Sequence, residues 1–464
     1  MNLRAGRLPF QVQIVDAPAS VTAHAGLALV IEGFRALGLA AAAGEHVHFK
    51  QRLRGYAEAT CIETLVALRA AGGECVDDVR VLHADTGLLR LWGRTALPAA
   101  ETLRAFLGRF HEEAGERARV AHTAYIPADS AGLRGLAAVQ QQLLGAVQAR
   151  LPQTHATLDV DATVIASDKR TALPVYEGGT GYQPLQVWWA EQGLWVQSQF
   201  RDGNVPAQCG VLEIVQASVA RLRGLGVTEF ALRSDSAGYR HDVLDWLRAE
   251  RIPFAISADL SPELKTQVVA LPASAWQSFR QWKGAELVHL DREWAEVEFI
   301  PSDGSKNKDL RPDRYLVIRA RPRQGDLFAD GASERYYATV TNRWEWDGER
   351  LLRWSHERCG TVEPAHDVLK NELGGGVLPS YRFGANAAWW QLVVLTHNLL
   401  VALKRLAFPD HAQALRPRRL RFLLFSLAGR LVCHGRRLML RLAEGHPGTR
   451  LLVDARQRLF APAG

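Results

Sequence analysis

Cysteine is scarce. The 464 residues contain five, Cys61, Cys75, Cys209, Cys359 and Cys433, with no Cys-x-x-Cys or Cys/His spacing among them. This scatter argues against a zinc finger or a disulfide framework and fits a reducing compartment, so a cytoplasmic location is expected. Long apolar runs are also missing. The stretch from 385 to 403 is interrupted by Asn386, Gln391, His397 and Asn398, and the N-terminus lacks a charged region followed by an apolar core, so neither membrane insertion nor secretion is expected. The glycines match no phosphate-binding pattern: GxGxxG is absent and no Lys-Ser/Thr follows Gly178, Gly179 and Gly181, which read instead as a hairpin turn. Acidic residues thin out toward the C-terminus. From Val401 onward only Asp410, Glu444 and Asp454 stand against one Lys and twelve Arg, a charge of +10 in a chain whose total is +7, so the rest sums to −3. This imbalance predicts a polyanionic partner for the C-terminal end, with surface Arg on solvated helices as the plainer alternative.

The length predicts more than one domain. Helical spacing runs from Ser20 through Ala42, from Ala57 to Ala70 before Gly72-Gly73, through Val76 to Leu82, and from Ala99 to Phe110. Residues 1–150 are therefore expected to be α-helical, as a bundle or a helix-turn-helix. A helix from Leu133 to Leu151 leads into a region of mixed texture. Strands are expected at Leu185 to Trp189, Leu194 to Phe200, Phe254 to Ile256, Ala295 to Ile300, Arg314 to Ala320 and Tyr336 to Thr341, with a helix at Gly210 to Leu222. A further long helix is expected from Ala385 to Leu406.

Three acidic positions organise this middle region. Leu158 to Val164 alternates strictly, so a strand there puts Asp159, Asp161 and Thr163 on one face and Leu158, Val160, Ala162 and Val164 on the other. Glu229 to Asp235 is a second short apolar run that ends in an acid. Glu363 precedes Pro364, and because proline suits the first turn of a helix and disrupts its interior, Glu363 is expected at a helix start. Lys370, two turns on, would share its face. Acids at the ends of buried strands are costly unless paired, and a divalent cation is a natural reason to keep them. Taken singly, each has an ordinary reading as a turn acid, an N-cap or solvated charge. Trp276 and Trp294 are expected in cores, with base stacking as the alternative.

In order, Asp161-Ala162-Thr163, Arg233-Ser234-Asp235-Ser236-Ala237-Gly238-Tyr239 and Glu363 with six residues before Lys370 resemble a DDE transposase of a bacterial insertion sequence, in the thirteen-eighty group. The segments 176–185, 200–207, 359–373 and 384–390 read like that group too, so the resemblance spans about 145–440. Relatives outside the group carry Tyr and Arg seven and four residues before the Glu, where this chain has His356 and Cys359, with Arg358 one place away. The resemblance implies an α/β fold in which an RNase H-like catalytic core (151–270 and 347–410) is interrupted by a β-rich insertion (271–346) and followed by a basic helical tail (411–464). It implies Asp161, Asp235 and Glu363 as catalytic ligands of Mg²⁺, with Mn²⁺ as a substitute, Lys370 and Arg358 as DNA contacts, and Asp159 and Thr163 as accessory residues. It also implies cut-and-paste transposition on double-stranded DNA, at terminal inverted repeats and target, by a dimer in the DNA complex. A nuclease that cuts without joining and a non-catalytic DNA-binding protein are the rival readings.

Overall fold

The computed structural model describes residues 20–49, 55–118, 120, 123–283, 286–301, 312–321 and 334–461. The expected first helix is split. A two-residue strand β1 (Val21–Thr22) and a 3₁₀ turn precede α1 (Ala28–Ala36), and Gly38, at φ 80°, turns the chain into α2 (Leu39–His46). A left-handed residue cannot continue an α-helix, which is why the apolar period runs on while the helix stops. Next come α3 (Glu58–Ala71), ended by Gly72 at φ 102°, α4 (Ala100–Gly108), and α5 (Ala131–Arg150), capped where Ser130 Oγ accepts from the Leu133 amide. These helices do not close a core of their own. One contiguous apolar cluster runs from Leu27 through the central strands to Leu459, so the packing has no break near residue 150.

The large sheet begins with β2 (His155–Ala162), β3 (Leu185–Trp189) and β4 (Leu194–Gln199), crosses over through α6 (Val211–Arg223) to β5 (Glu229–Ser234), and through α7 (His241–Ala249) to β6 (Phe254–Ala258). After a short helix α8 (Pro262–Val269) come β7 (Gln277–Lys283), β8 (Glu286–Phe299), β9 (Asp313–Ala320) and β10 (Arg335–Thr341). The nine strands lie in the order β7-β8-β9-β10-β6-β5-β2-β3-β4. The β2–β5 and β5–β6 pairs are parallel and the others antiparallel. Trp276 and Trp294 are buried, at 8% and 6% exposure, which favours the core reading over base stacking.

Two sequence expectations fail in the C-terminal half. Helix α9 runs from Gly348 to Asp367 with Pro364 inside it, so Glu363 sits near its end rather than at its start. The real N-cap is Asp347, whose carboxylate accepts from the Glu349 and Arg350 amides at 3.2 and 2.9 Å. Proline is tolerated because the residue four before it is Gly360, on the exposed face, whose carbonyl is free to tilt toward water. A π-helical turn, Val368–Glu372, follows directly. The central helix α10 (Phe383–Ala407) is buried nearly all round. Two of its asparagines are bonded within the protein: Asn386 holds Ser380, and the Asn398 amide pairs with the Trp195 backbone, accepting at 3.0 Å and donating at 2.8 Å. Among the described residues no single helix is long and apolar enough to cross a membrane. The tail is not purely helical either. β11 (Gly429–His434) and β12 (Arg437–Leu442) form a hairpin that pairs with β1, and α11 (Pro447–Leu459) follows. Leu438, Leu440 and Leu442 alternate with Met439 and Arg441, a period of two that outweighs the helical propensity of Arg and Leu.

Candidate functional site

Parallel pairing between β2 and β5 sets the site. The register couples Asp159 to Arg233 and Val160 to Ser234, so the next residues, Asp161 and Asp235, stand side by side at the ends of neighbouring strands. Asp235 caps a 3₁₀ turn, with Oδ1 accepting from the Ala237 amide at 3.1 Å. Helix α9 crosses these strand ends and contributes side chains at successive turns.

The two acids of β2 are held differently. Asp159 is fully buried and takes a bidentate contact from Arg233, Nε to Oδ1 at 2.6 Å and Nη2 to Oδ2 at 2.9 Å. Thr361 Oγ1 adds a contact to Oδ2 at 3.3 Å, and Arg233 is tied to α9 through the Trp354 carbonyl at 2.7 Å. Asp161 lies at the rim of the cleft. Arg358 Nη1 reaches its Oδ1 at 3.1 Å, and His366 Nε2 comes within 3.3 Å of its Oδ2. That histidine approach misses hydrogen-bond geometry, and His366, stacked against Trp195 at 4.9 Å, has no hydrogen-bond partner on either ring nitrogen among the described residues.

The electrostatics separate the two adjacent carboxyls. Burial opposes ionisation of Asp161, but the His366 ring and the Arg358 guanidinium outweigh it and hold the carboxyl below its ordinary range. Asp235 moves the other way, pushed up by burial and then by the charge of Asp161. Neighbouring carboxyls split in this way because two like charges side by side disfavour each other's ionisation. Arg358 is held above its ordinary value by Asp161 and Asp235, against the effect of burial.

A cleft of about 290 Å³ is lined by Asp161, Thr163, Glu177, Glu363, His366 and Lys370, among others. Glu363 is exposed on α9, and Lys370, on the π turn, donates to the Val164 carbonyl at 3.3 Å. Thr163 is buried with its amide bonded to the Pro184 carbonyl. Of the residues singled out in the sequence, Asp161, Thr163, Glu363 and Lys370 therefore share one cleft, Asp235 adjoins Asp161, Asp159 lies behind them in an ion pair, and Arg358 faces the acids. Among the described residues no three His, Cys, Asp or Glu side chains stand close enough to cage a metal as they are. The donors nevertheless fit a hard cation in kind: two adjacent carboxylates of opposed pKa shift and a third on the cleft wall.

Sequence reasoning gave no role to Arg233, though it lies in the second motif, and none to His366. Arg233 lies two residues before Asp235, so strand alternation places both on one face, opposite Asp159. His366 is three residues after Glu363, a spacing that shares a helix face once Glu363 is placed within a helix.

Residues 10–462 match the family model described as "Transposase DDE domain group 1". Among solved structures, the chain is similar to the piggyBac transposase of a cryo-EM synaptic complex with hairpin DNA, at 11% identity and a TM-score of 0.46, over 93% of this chain and 82% of that one. No curated protein matches the sequence. The family match spans nearly the whole chain, and the protein belongs to the DDE transposase family, domain group 1.

Proposed function

We propose that this transposase cleaves DNA strands at the ends of a mobile element and joins the freed 3′-hydroxyls to target DNA, as an enzyme of a bacterial insertion sequence in the thirteen-eighty group. The observation that carries this reading is the register that sets Asp161 beside Asp235, with Glu363 on the wall of the same cleft. The strand order β4-β3-β2-β5-β6, antiparallel through β3 and parallel from β2 to β6, supports an RNase H-like core. On that reading β7 to β10 are the insertion (271–346) between its two parts (151–270 and 347–410), while the N-terminal helices and the tail share one apolar core with it.

Asp161, Asp235 and Glu363 would hold Mg²⁺, or Mn²⁺ in its place. Bound as a pair, such ions activate the attacking oxygen and stabilise the leaving one. The chain supplies the charge and the alignment. Asp161, whose carboxyl is held below its ordinary range, and Asp235, pushed up by burial and by the charge of Asp161, would hold the cation from adjacent strand ends. Asp159 and Arg233 fix the strand ends behind these two acids. Lys370 places an ammonium at the cleft wall, where a scissile-strand phosphate would lie, and Arg358 is a second cation within reach of it. The partners are double-stranded transposon ends and target DNA, engaged by a dimer.

The test is cleavage of labelled transposon ends in Mg²⁺ by Asp161→Asn, Asp235→Asn and Glu363→Gln. Each variant is expected to lose cleavage while retaining end binding in Ca²⁺. Cleavage by any one of them at near wild-type rate would remove that acid from the mechanism.

A further inference from the structure

The hairpin β11–β12 has two unlike faces. Its register pairs Leu431 with Leu440 and Gly429 with Leu442, and on the opposite face Arg430 with Arg441 and His434 with Arg437 on either side of the Val432–Met439 pair. The apolar face packs inward: Leu431 is buried, and a Cβ at Gly429 would meet Leu440 and Ala25 at 2.6 and 3.0 Å. On the outer face Arg430, Arg437 and Arg441 are all exposed. The two-residue turn adds Arg436, held at φ 64°, a left-handed conformation that asparagine or glycine would adopt more readily.

This arrangement is poor for stability. Like charges directly opposite in an antiparallel pair are destabilising, and Arg430 faces Arg441 with no acidic residue anywhere from 429 to 442. Among the described residues no acid pairs with Arg430, Arg436, Arg437 or Arg441. Other arginines of the same tail are committed internally: Arg416 to Asp367 and Glu372, Arg421 to the Ala70 carbonyl, Arg456 to Glu32. The positive charge expected of the tail is thus partly spent on structure, and the hairpin concentrates four of the cations left over.

We infer that the outer face of β11–β12 is a docking surface for the phosphate backbone of duplex DNA, with Arg430, Arg436, Arg437 and Arg441 as its contacts. Beyond its short pairing with β1 the hairpin is two-stranded, and strands about 4.8 Å apart make a ribbon narrow enough to lie along a groove about 12 Å wide. Contacts of this kind carry affinity and orientation but no sequence preference. The inference rests on the proposed DNA chemistry and assigns to this face a binding role separate from the acidic cleft.

The experiment measures binding of the full chain to a random-sequence duplex of about 30 base pairs across a salt series, since each phosphate contact contributes roughly 0.9 to the slope of log K against log salt. The variant carries Arg430→Gln, Arg436→Asn, Arg437→Gln and Arg441→Gln. It is expected to lose about 3.6 from the slope, so that between 50 and 200 mM salt the wild type sheds roughly a hundredfold more affinity than the variant does. Its thermal midpoint should equal or exceed that of wild type, because the Arg430–Arg441 repulsion is gone. If the fourfold variant does not fold, Arg430→Gln with Arg441→Gln is read instead, with an expected slope change of about 1.8. An unchanged slope in a folded variant, beside normal wild-type binding, overturns the hairpin assignment alone. Failure of the wild type to bind any duplex overturns both this inference and the proposed function.

Discussion

The ion pair behind the acidic cleft gives a sharp test of how the two acids of β2 divide their roles. Asp159→Asn keeps the shape of the side chain and removes its charge. Arg233, 2% exposed, then faces an amide that can accept through only one oxygen and turns an N–H₂ group toward guanidinium N–H groups. The partners left to Arg233 are the Trp354 carbonyl and Glu357, and Glu357 is 64% exposed and therefore screened. Breaking a buried pair by neutralising one member costs about 3–5 kcal/mol, because the other charge stays buried. Against a total stability of about 5–15 kcal/mol, this is a large fraction. Urea unfolding followed by tryptophan fluorescence and far-ultraviolet circular dichroism should show the loss as a lower midpoint with little change in slope. The double variant Asp159→Leu, Arg233→Met should recover most of it, since replacing both members of a buried pair with apolar side chains is close to neutral or stabilising. Asp161→Asn, at the rim of the cleft, should unfold nearer to wild type yet lose cleavage. The reasoning is refuted if Asp159→Asn unfolds within about 0.5 kcal/mol of wild type, or if the double variant is no more stable than the single one. A folded Asp159→Asn that is inactive beside an active Asp161→Asn would reverse the two roles.

Glu349 predicts an acid-sensitive contact. Arg280 of β7 hydrogen-bonds its carboxylate and, with Arg353, pulls its pKa down to about 2, so the stability it contributes is fully present above about pH 4.5 and is lost as the pH falls toward 2. Glu349→Gln should flatten that part of the stability–pH curve, and an unchanged curve would mean the contact contributes nothing. Lys370→Ala should lower the salt slope of transposon-end binding by roughly 0.9 and slow cleavage, whereas a wild-type slope with normal cleavage would return Lys370 to its carbonyl contact alone.

Much of the scaffold is legible from spacing and breakers, and the exceptions have local causes. The helices ending at Ala71 and Arg150 and the long Phe383–Ala407 helix lie within a few residues of where the apolar period and its boundaries put them. β7 and α8 escaped because neither Gln277–Lys283 nor Pro262–Val269 has a clean period, and neighbouring strands and helices supply their packing instead. Pro364 misled for a physical reason: its usual place is a first turn, and its cost inside a helix falls when the carbonyl four residues back belongs to an exposed glycine. In the tail the density of arginine masked an alternation that specified a hairpin. At the site, alternation placed Asp159 and Asp161 on one face but could not tell a buried acid from a cleft acid. That distinction depends on which residue of β5 lies opposite, Arg233 for one and the approach to Asp235 for the other.

Helix α9 explains how acids from separate parts of the chain are brought into alignment. At its first turn Glu349 is bonded to Arg280 of β7, so the outer strands set its start. One to two turns later the Trp354 carbonyl and Glu357 hold Arg233, then Arg358 reaches Asp161 and Thr361 reaches Asp159, before Glu363 and His366 arrive at the cleft. Each contact fixes the rotation of the helix about its axis. A slip of one residue turns the helix by about 100°, which would break every contact together and swing Glu363 away from the cleft. Glu363 itself is exposed, so the anchors upstream on the same helix help to set its position. The strands Gln277–Lys283 to Arg335–Thr341 thereby act on the site without lining it. Their pairing extends the sheet beyond β6, and their contact with Glu349 orients the helix that carries the third acid.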